Sequence, residues 1–336
     1  MANRSGHHRK PLIYHSILSA EEIARIVQAN YALAGPLECS LFNSGVNDTY
    51  LVVGPEQRSM LRIARVHRYG AFDESAYRFE LDLLGFLHEK GLPVAYPLPR
   101  RDHDTLGVIH APEGKRHYAL FTFADGEILP SLDEAHACIL GETLASLHLA
   151  MSEFSSPHPR FHLDEEFLID EPMRRVRMFP QIAREDMRFL ETLAEDTKAR
   201  IQNLPRQSEA YGIIHGDFWW KNVHFSDGKP TFFDFDFCGC GWRAYDVGAL
   251  SATARMFGVD LPSAVVDSFV SGYETVRPLT ALERAALPAF ERIRAIWAFG
   301  LWSSFAEVHG TRWFHDVFAD VFASLKKWVE GVGPSA

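Results

Sequence analysis

The chain has 336 residues, enough for two separate cores, and a formal net charge of -10, which argues against a generic nucleic-acid or anionic-membrane surface. Hydrophobic residues make up 47% and charged residues 23%, the balance of a soluble globular protein, and no apolar run approaches the roughly 18 residues of a membrane span. Cys39, Cys138, Cys238 and Cys240 do not make a disulfide framework in a chain of this size.

The start, MANRSGHHRKPLIYHSIL, lacks the apolar core and cleavage site of a secretory leader, so a cytoplasmic location is expected. Residues 1–18 read as an extension, with His7 and His8 part of a mobile terminus rather than metal ligands. Ser19 is a good N-cap and Glu22 sits at the capping-box position. The helix they open buries Ile23, Ile26, Val27 and Tyr31 on one face, and Gly35-Pro36 ends it. Strands are expected at 37–42, 49–53 and 60–64. Between the first two, Asn43-Ser44-Gly45-Val46-Asn47-Asp48 reads either as an ordinary hairpin turn or as a loop laying backbone N–H groups on phosphates. A helix at 73–90 turns Ala76, Phe79, Leu83 and Leu87 inward and stops at Gly91-Leu92-Pro93. Residues 118–123 form another apolar strand, after which composition shifts from strand-like to helical.

A helix over 132–153 follows, with His148 at core spacing, and Pro157 and Pro159 keep 155–167 irregular. Residues 171–203 read as two charged amphipathic helices broken near Pro180. Next comes YGIIHGDFWWKNVHFSDGKPTFFDFDFCGCGWRAYDVG, residues 211–248, around which the chain is organised. Its apolar start ends at His215-Gly216-Asp217, and Asn222 follows in the same loop. Asp227-Gly228 joins two β-rich runs into a hairpin, with Asp234 within the second strand or at its end. One carboxylate, one amide and a second carboxylate across a hairpin suit phosphoryl transfer, in which an acceptor hydroxyl is positioned, its proton accepted, and Mg²⁺ held against the phosphates. Asp217 is the proton acceptor, and Asn222 and Asp234 are hard oxygen donors for Mg²⁺. The plainer alternative is a capped loop with two solvated acids; the ordered set favours chemistry. Cys238-Gly239-Cys240 has no second Cys or His pair at zinc-like spacing and reads as small residues in a tight loop. Helices at 244–257, 261–273, 279–309 and 312–329 complete the chain. Trp297, Phe299, Trp302, Phe305 and Trp313 read as packing there, with an aromatic wall for a cationic acceptor as the alternative.

HGDFWWKN, then FFDFDF, then AYDVG resembles the aminoglycoside phosphotransferase and choline kinase-like superfamily, over residues 20 to 330. The resemblance implies an α+β, bilobal protein-kinase-like fold: an antiparallel-sheet lobe at 19–123, a mostly helical lobe at 124–332, and a hinge at 121–127 whose backbone lines an adenine slot. Asp217 then matches the catalytic base, His215 the histidine bracing its loop, Asn222 and Asp234 the metal ligands, and Asp246 an acid supporting the loop from the next helix. Ser44, Gly45 and Asn47 fall in the phosphate-covering loop. Arg62 stands where many relatives carry the Lys for the α- and β-phosphates. A guanidinium binds phosphate too, but its longer fork alters the geometry. Glu80 is its candidate partner, with Glu74 as a fallback, and Lys221 a candidate for the γ-phosphate. Gly272-Tyr273-Glu274-Thr275-Val276-Arg277-Pro278-Leu279, with Glu283 and Leu287-Pro288 beyond, is similar to the bacterial homoserine kinase branch.

The expectation is an ATP- and Mg²⁺-dependent phosphotransferase acting on a small-molecule hydroxyl, in an amino acid, amino alcohol or aminoglycoside-like acceptor, with no nucleic-acid or membrane partner. One alternative is a Ser/Thr protein kinase of the superfamily's stress-response type; the lack of an A-P-E-like activation segment after Phe235 counts mildly against it. The other is a non-catalytic nucleotide-binding pseudokinase, suggested by Arg62 and the glycine-poor turn. Retention of the base and both metal ligands opposes that reading.

Overall fold

The computed structural model describes residues 13–66, 69, 72–206 and 209–331; His7 and His8 lie outside them. The chain divides into two compact units: the described residues of Met1–Arg68 with Leu98–Thr122, and those of Tyr69–Pro97 with Phe123–Ala336.

The first unit opens with α1 (Ala20–Asn30), whose cap is Ser19 accepting the Glu22 N–H at 3.2 Å. It stops ahead of the expected Gly35-Pro36 because tertiary contacts take its end: the Asn30 side chain accepts from Arg100 at 3.1 Å and its carbonyl from the Arg101 N–H at 2.7 Å. Strands β1 (Glu38–Ser44), β2 (Asn47–Val53), β3 (Arg58–Ala64), β4 (Gly107–Ala111) and β5 (Gly114–Thr122) form an antiparallel sheet ordered β1-β2-β3-β5-β4. Leu61, Ile63, Val52 and Leu120 share one core with Ile23 and Val27 of α1. Side chains alternate along a strand, so Arg62, between Leu61 and Ile63, emerges on the other face, its guanidinium 4.8 Å from the Phe121 ring centre.

The second unit begins with α2 (Glu74–Glu89), capped by Asp73, and continues with α3 (Glu134–Met151), β6 (His162–Leu163), α4 (Glu171–Val176), α5 (Arg184–Ile201) and β7 (Tyr211–Ile214). The hairpin is β8 (Val223–Ser226) with β9 (Lys229–Phe232), followed by β10 (Gly239–Trp242) and helices α6 (Arg243–Met256), α7 (Ser263–Val276), α8 (Ala281–His309) and α9 (Thr311–Gly331). Helix α2 groups with this unit and not with the sheet. Arg160 supplies one reason: it donates to the Ala76 carbonyl of α2 at 2.6 Å, and to the Asp236 and Cys238 carbonyls beyond the hairpin at 2.5 and 2.6 Å.

The reading of Cys238-Gly239-Cys240 as a tight loop is corrected here. Residues from Gly239 form β10, antiparallel to β7 and parallel to β6. Its glycines hide it from propensity and serve close approach: a Cβ on Gly239 would sit 2.7 Å from the Phe161 carbonyl oxygen. Trp297 and Phe299 are buried, as the packing reading expected. No helix among the described residues is long and apolar enough to cross a membrane.

Candidate active site

The end of β7 delivers His215-Gly216-Asp217, and the backbone there turns at Gly216 with φ 80°. A Cβ on Gly216 would lie 2.2 Å from the Phe237 carbonyl oxygen, so only glycine fits. Asp246, fully buried in the first turn of α6, hangs the loop: it accepts the His215 N–H at 2.7 Å and the Gly216 N–H at 2.9 Å. Buried N–H groups without partners would cost heavily, so this carboxylate determines where Asp217 sits.

Asp246 is itself held. His148 of α3 donates Nε2–H to it at 3.0 Å, and His148 Nδ1 lies 2.8 Å from the Tyr273 hydroxyl of α7. Burial holds His148 below the usual imidazole range, and the opposing pull of Asp246 does not restore it. The ring is therefore neutral, with Nδ1 accepting from Tyr273. Arg277 donates to the Tyr273 oxygen at 3.3 Å and to Glu283 at 2.7 Å. The tract similar to homoserine kinases thus braces the loop from behind. His148 is a core residue, as its spacing suggested.

His215 also faces inward. It is buried, accepts the Asp217 N–H through Nδ1 at 3.3 Å, and donates Nε2–H to the Phe233 carbonyl at 3.1 Å. Burial again depresses its pKa, against the pull of Asp246 and Asp217. It ties the loop to the end of the hairpin. Asn222 closes a single 3₁₀ turn; its Nδ2 donates to the Asp217 carbonyl at 2.9 Å and its own carbonyl accepts the Phe233 N–H at 3.0 Å. With the amide nitrogen spent, Oδ1 is the atom left for a cation. Asp234 follows Phe233 directly, in the left-handed region at φ 64°, an uncommon conformation for any residue but glycine. Strand β9 ends at Phe232, so of the two placements the sequence left open, the end of the strand is the nearer, with Asp234 just past it. Phe233, the residue before Asp234, thus bonds to Asn222 directly and to the Asp217 loop through His215.

These donors fit a hard divalent ion that completes its shell with phosphate oxygens and water. Among the described residues, no group of three or more His, Cys, Asp or Glu could hold a metal ion. Asn222 and Asp234 thus suit a site that a nucleotide's phosphates complete.

Sequence reasoning missed Arg294. This residue of α8 is buried and forms an ion pair from Nη2 to Asp217 Oδ1. Its Nε donates to the Thr253 hydroxyl at 3.0 Å, and its guanidinium lies 4.5 Å from the Trp297 ring centre. No spacing rule links α8 to the loop. The available signal was a charge inside the apolar run Ile293-Arg294-Ala295-Ile296-Trp297, costly unless paired. Trp220 is buried and donates to the Leu129 carbonyl at 3.2 Å, while Trp219 stacks on Phe257 at 4.9 Å. Lys221 Nζ stands 5.1 Å from the Trp219 ring centre.

In the first unit, the Ser44 hydroxyl donates to Asp48 and accepts from Arg65, both at 2.8 Å, and the Gly45 N–H bonds to the Asn47 carbonyl at 2.9 Å. The turn uses these groups to hold itself. Behind it, buried Asp48 also accepts from Arg116 at 2.6 Å and lies 2.8 Å from His15 Nε2. Arg62 belongs to this unit; Glu80, fully buried in α2, belongs to the other.

The model of a family described as "Phosphotransferase enzyme family" matches residues 38–288. A protein of Deinococcus radiodurans described as uncharacterized is 35% identical over 327 residues, covering 95% of this chain and 92% of its own. A homoserine kinase of Polaromonas naphthalenivorans is 32% identical over 238 residues, covering 67% of this chain and 70% of its own. A solved structure of a microcompartment-associated aminopropanol kinase superposes with a TM-score of 0.76 at 24% identity, covering 93% of this chain and 98% of its own, which establishes a shared fold.

Proposed function

The chain belongs to the phosphotransferase enzyme family, whose members phosphorylate hydroxyl groups of small molecules, and on that premise we propose that it moves the γ-phosphate of ATP to a hydroxyl of an amino acid or amino alcohol. The observation that supports the reading is the bonding that ties the Asp217 loop, Asn222 and the segment just before Asp234 together: Asn222 to the Asp217 carbonyl and the Phe233 N–H, and His215 to the Phe233 carbonyl. Asp217 is partly open, its side chain keeping 21% exposure, and Asp234 is exposed, whereas Asn222, His215 and Asp246 are buried. Asp217 orients the acceptor hydroxyl and takes its proton. Asn222 Oδ1 and the Asp234 carboxylate hold Mg²⁺, which when bound offsets the charge on the phosphates. Lys221 is the family-implied contact to the nucleotide in the helical unit; Ser44, Gly45 and Asn47, whose polar groups hold their own turn, and Arg62 and Glu80 are nucleotide positions that the family resemblance alone implies. The homoserine kinase relative favours an amino-acid-like alcohol, and a cytoplasmic site of action accords with the need for ATP.

The test is Mg²⁺-ATP consumption over a panel of amino acids, amino alcohols, sugars and aminoglycosides, with ³¹P NMR of the product. An amino acid or amino alcohol should yield a phosphate monoester, and its deoxy counterpart none. A protein that binds ATP yet transfers phosphate to nothing in the panel would contradict the proposal.

A further inference from the structure

We infer that Arg294 is a positioning residue for the general base, fixing the Asp217 carboxylate so that Oδ1 is held and Oδ2 is presented to the acceptor hydroxyl. The inference rests on the reading of Asp217 as that base. Arg294 sits in an apolar stretch of α8 and is buried, where an unpaired guanidinium costs several kcal/mol. Three contacts from different directions fix it: the Asp217 carboxylate, the Thr253 hydroxyl of α6 at 3.0 Å, and the Trp297 face at 4.5 Å. Its guanidinium also faces the buried Tyr245 hydroxyl. Helix packing alone would be served by an apolar residue at this position. A planar, permanently charged fork, gripped on three sides and aimed at one oxygen of the base, serves to hold that carboxylate in one orientation. Asp217 thus has two independent supports. The backbone of its loop hangs from Asp246, and its side chain is oriented by Arg294.

The test compares Arg294→Met, Arg294→Lys and Arg294→Ala with the parent and with Asp217→Asn, following turnover of Mg²⁺-ATP with water, homoserine and aminopropanol. Misplacing a reacting group by about 1 Å costs on the order of 10²-fold in rate, so Arg294→Met should lower kcat by that order while leaving the KM for Mg²⁺-ATP unchanged. Arg294→Lys should recover part of the loss, and added guanidinium ion should rescue Arg294→Ala. Undiminished kcat in Arg294→Met, or loss with neither lysine recovery nor guanidinium rescue, overturns the inference. If Arg294→Met fails to fold, Thr253→Val removes only the Nε contact; it should lower kcat severalfold in a protein that still folds with a modestly lower Tm, and full activity there overturns the inference instead. Asp217→Asn separates the two levels. An active Asp217→Asn sinks the general-base reading, whereas an inactive Asp217→Asn beside a fully active Arg294→Met sinks only the role of Arg294.

Discussion

Asp246 accepts the backbone N–H of His215 at 2.7 Å, and with it takes up the loop that presents Asp217. Neither group meets water, and the same carboxylate serves the Gly216 N–H and His148. Asp246→Ala leaves two buried N–H groups and a buried imidazole N–H without an acceptor. The expected loss is about 3 kcal/mol or more of unfolding free energy, at about 1–3 kcal/mol per unsatisfied group. Urea unfolding of the variant checks this; a midpoint equal to that of the parent would show that the loop stands without its anchor.

Stability should also fall as pH drops below neutrality. The folded pKa of His148 lies below its ordinary value of 6.5 because burial disfavours the imidazolium, a penalty that the neighbouring Asp246 only partly offsets. The unfolded chain therefore binds the extra proton first. The stabilisation is complete above the unfolded value of 6.5 and is lost as pH falls toward and through the folded one. His215 is depressed in the same direction, so both residues contribute. Tm measured from pH 8 to pH 5 should decline, and His148→Gln should show a shallower decline from a lower starting point. An identical slope in the variant would assign the effect elsewhere. A second acid limb is expected below the ordinary carboxylate range. Burial raises the Asp48 pKa, but hydrogen bonds from Arg116, His15 and Ser44 outweigh it and hold the carboxyl down, so its contribution is present above 3.8 and lost below.

The candidate loop and hairpin could be read from the sequence because their parts are local: HGD, Asn222 and Asp234 fall within one loop and one hairpin, and a turn dipeptide sets their spacing. The antiparallel sheet and the run of helices after it were legible from their periodicities, but helix α2, read with the sheet, groups with the helical unit. What escaped was set by distant approach. Strand β10 is written in cysteine and glycine because the Phe161 backbone packs against it. The carbonyls that Arg160 gathers from both sides of the hairpin and from α2 carry no residue signature at all. Arg294 lies far along the chain from Asp217 and meets it only because α6 and α8 pack together.

Metal dependence gives a third prediction. On the proposed reading, Asn222 and Asp234 offer the protein's oxygen donors to the ion, and the rest of its shell comes from phosphates and water. Chelation of divalent ions should abolish turnover, with recovery on adding Mg²⁺. Asp234→Asn should raise the Mg²⁺ concentration needed for half-maximal rate by on the order of 10- to 100-fold, the scale seen when metal-site support is weakened. A Mg²⁺ titration curve superimposable on that of the parent would remove Asp234 from the site.

The measurement that bears most directly on the account is the turnover of Asp217→Asn set beside its affinity for Mg²⁺-ATP. Asparagine keeps the shape of the side chain and the bonds that His148, Asp246 and Phe233 give the loop, but it cannot accept the acceptor's proton. Transfer should fall by about 10²- to 10⁴-fold, the contribution of a general base, while nucleotide affinity stays at the parental value and Tm drops with the loss of the Arg294 ion pair. Transfer at the parental rate in this variant would contradict the assignment of Asp217 and the chemistry built on it.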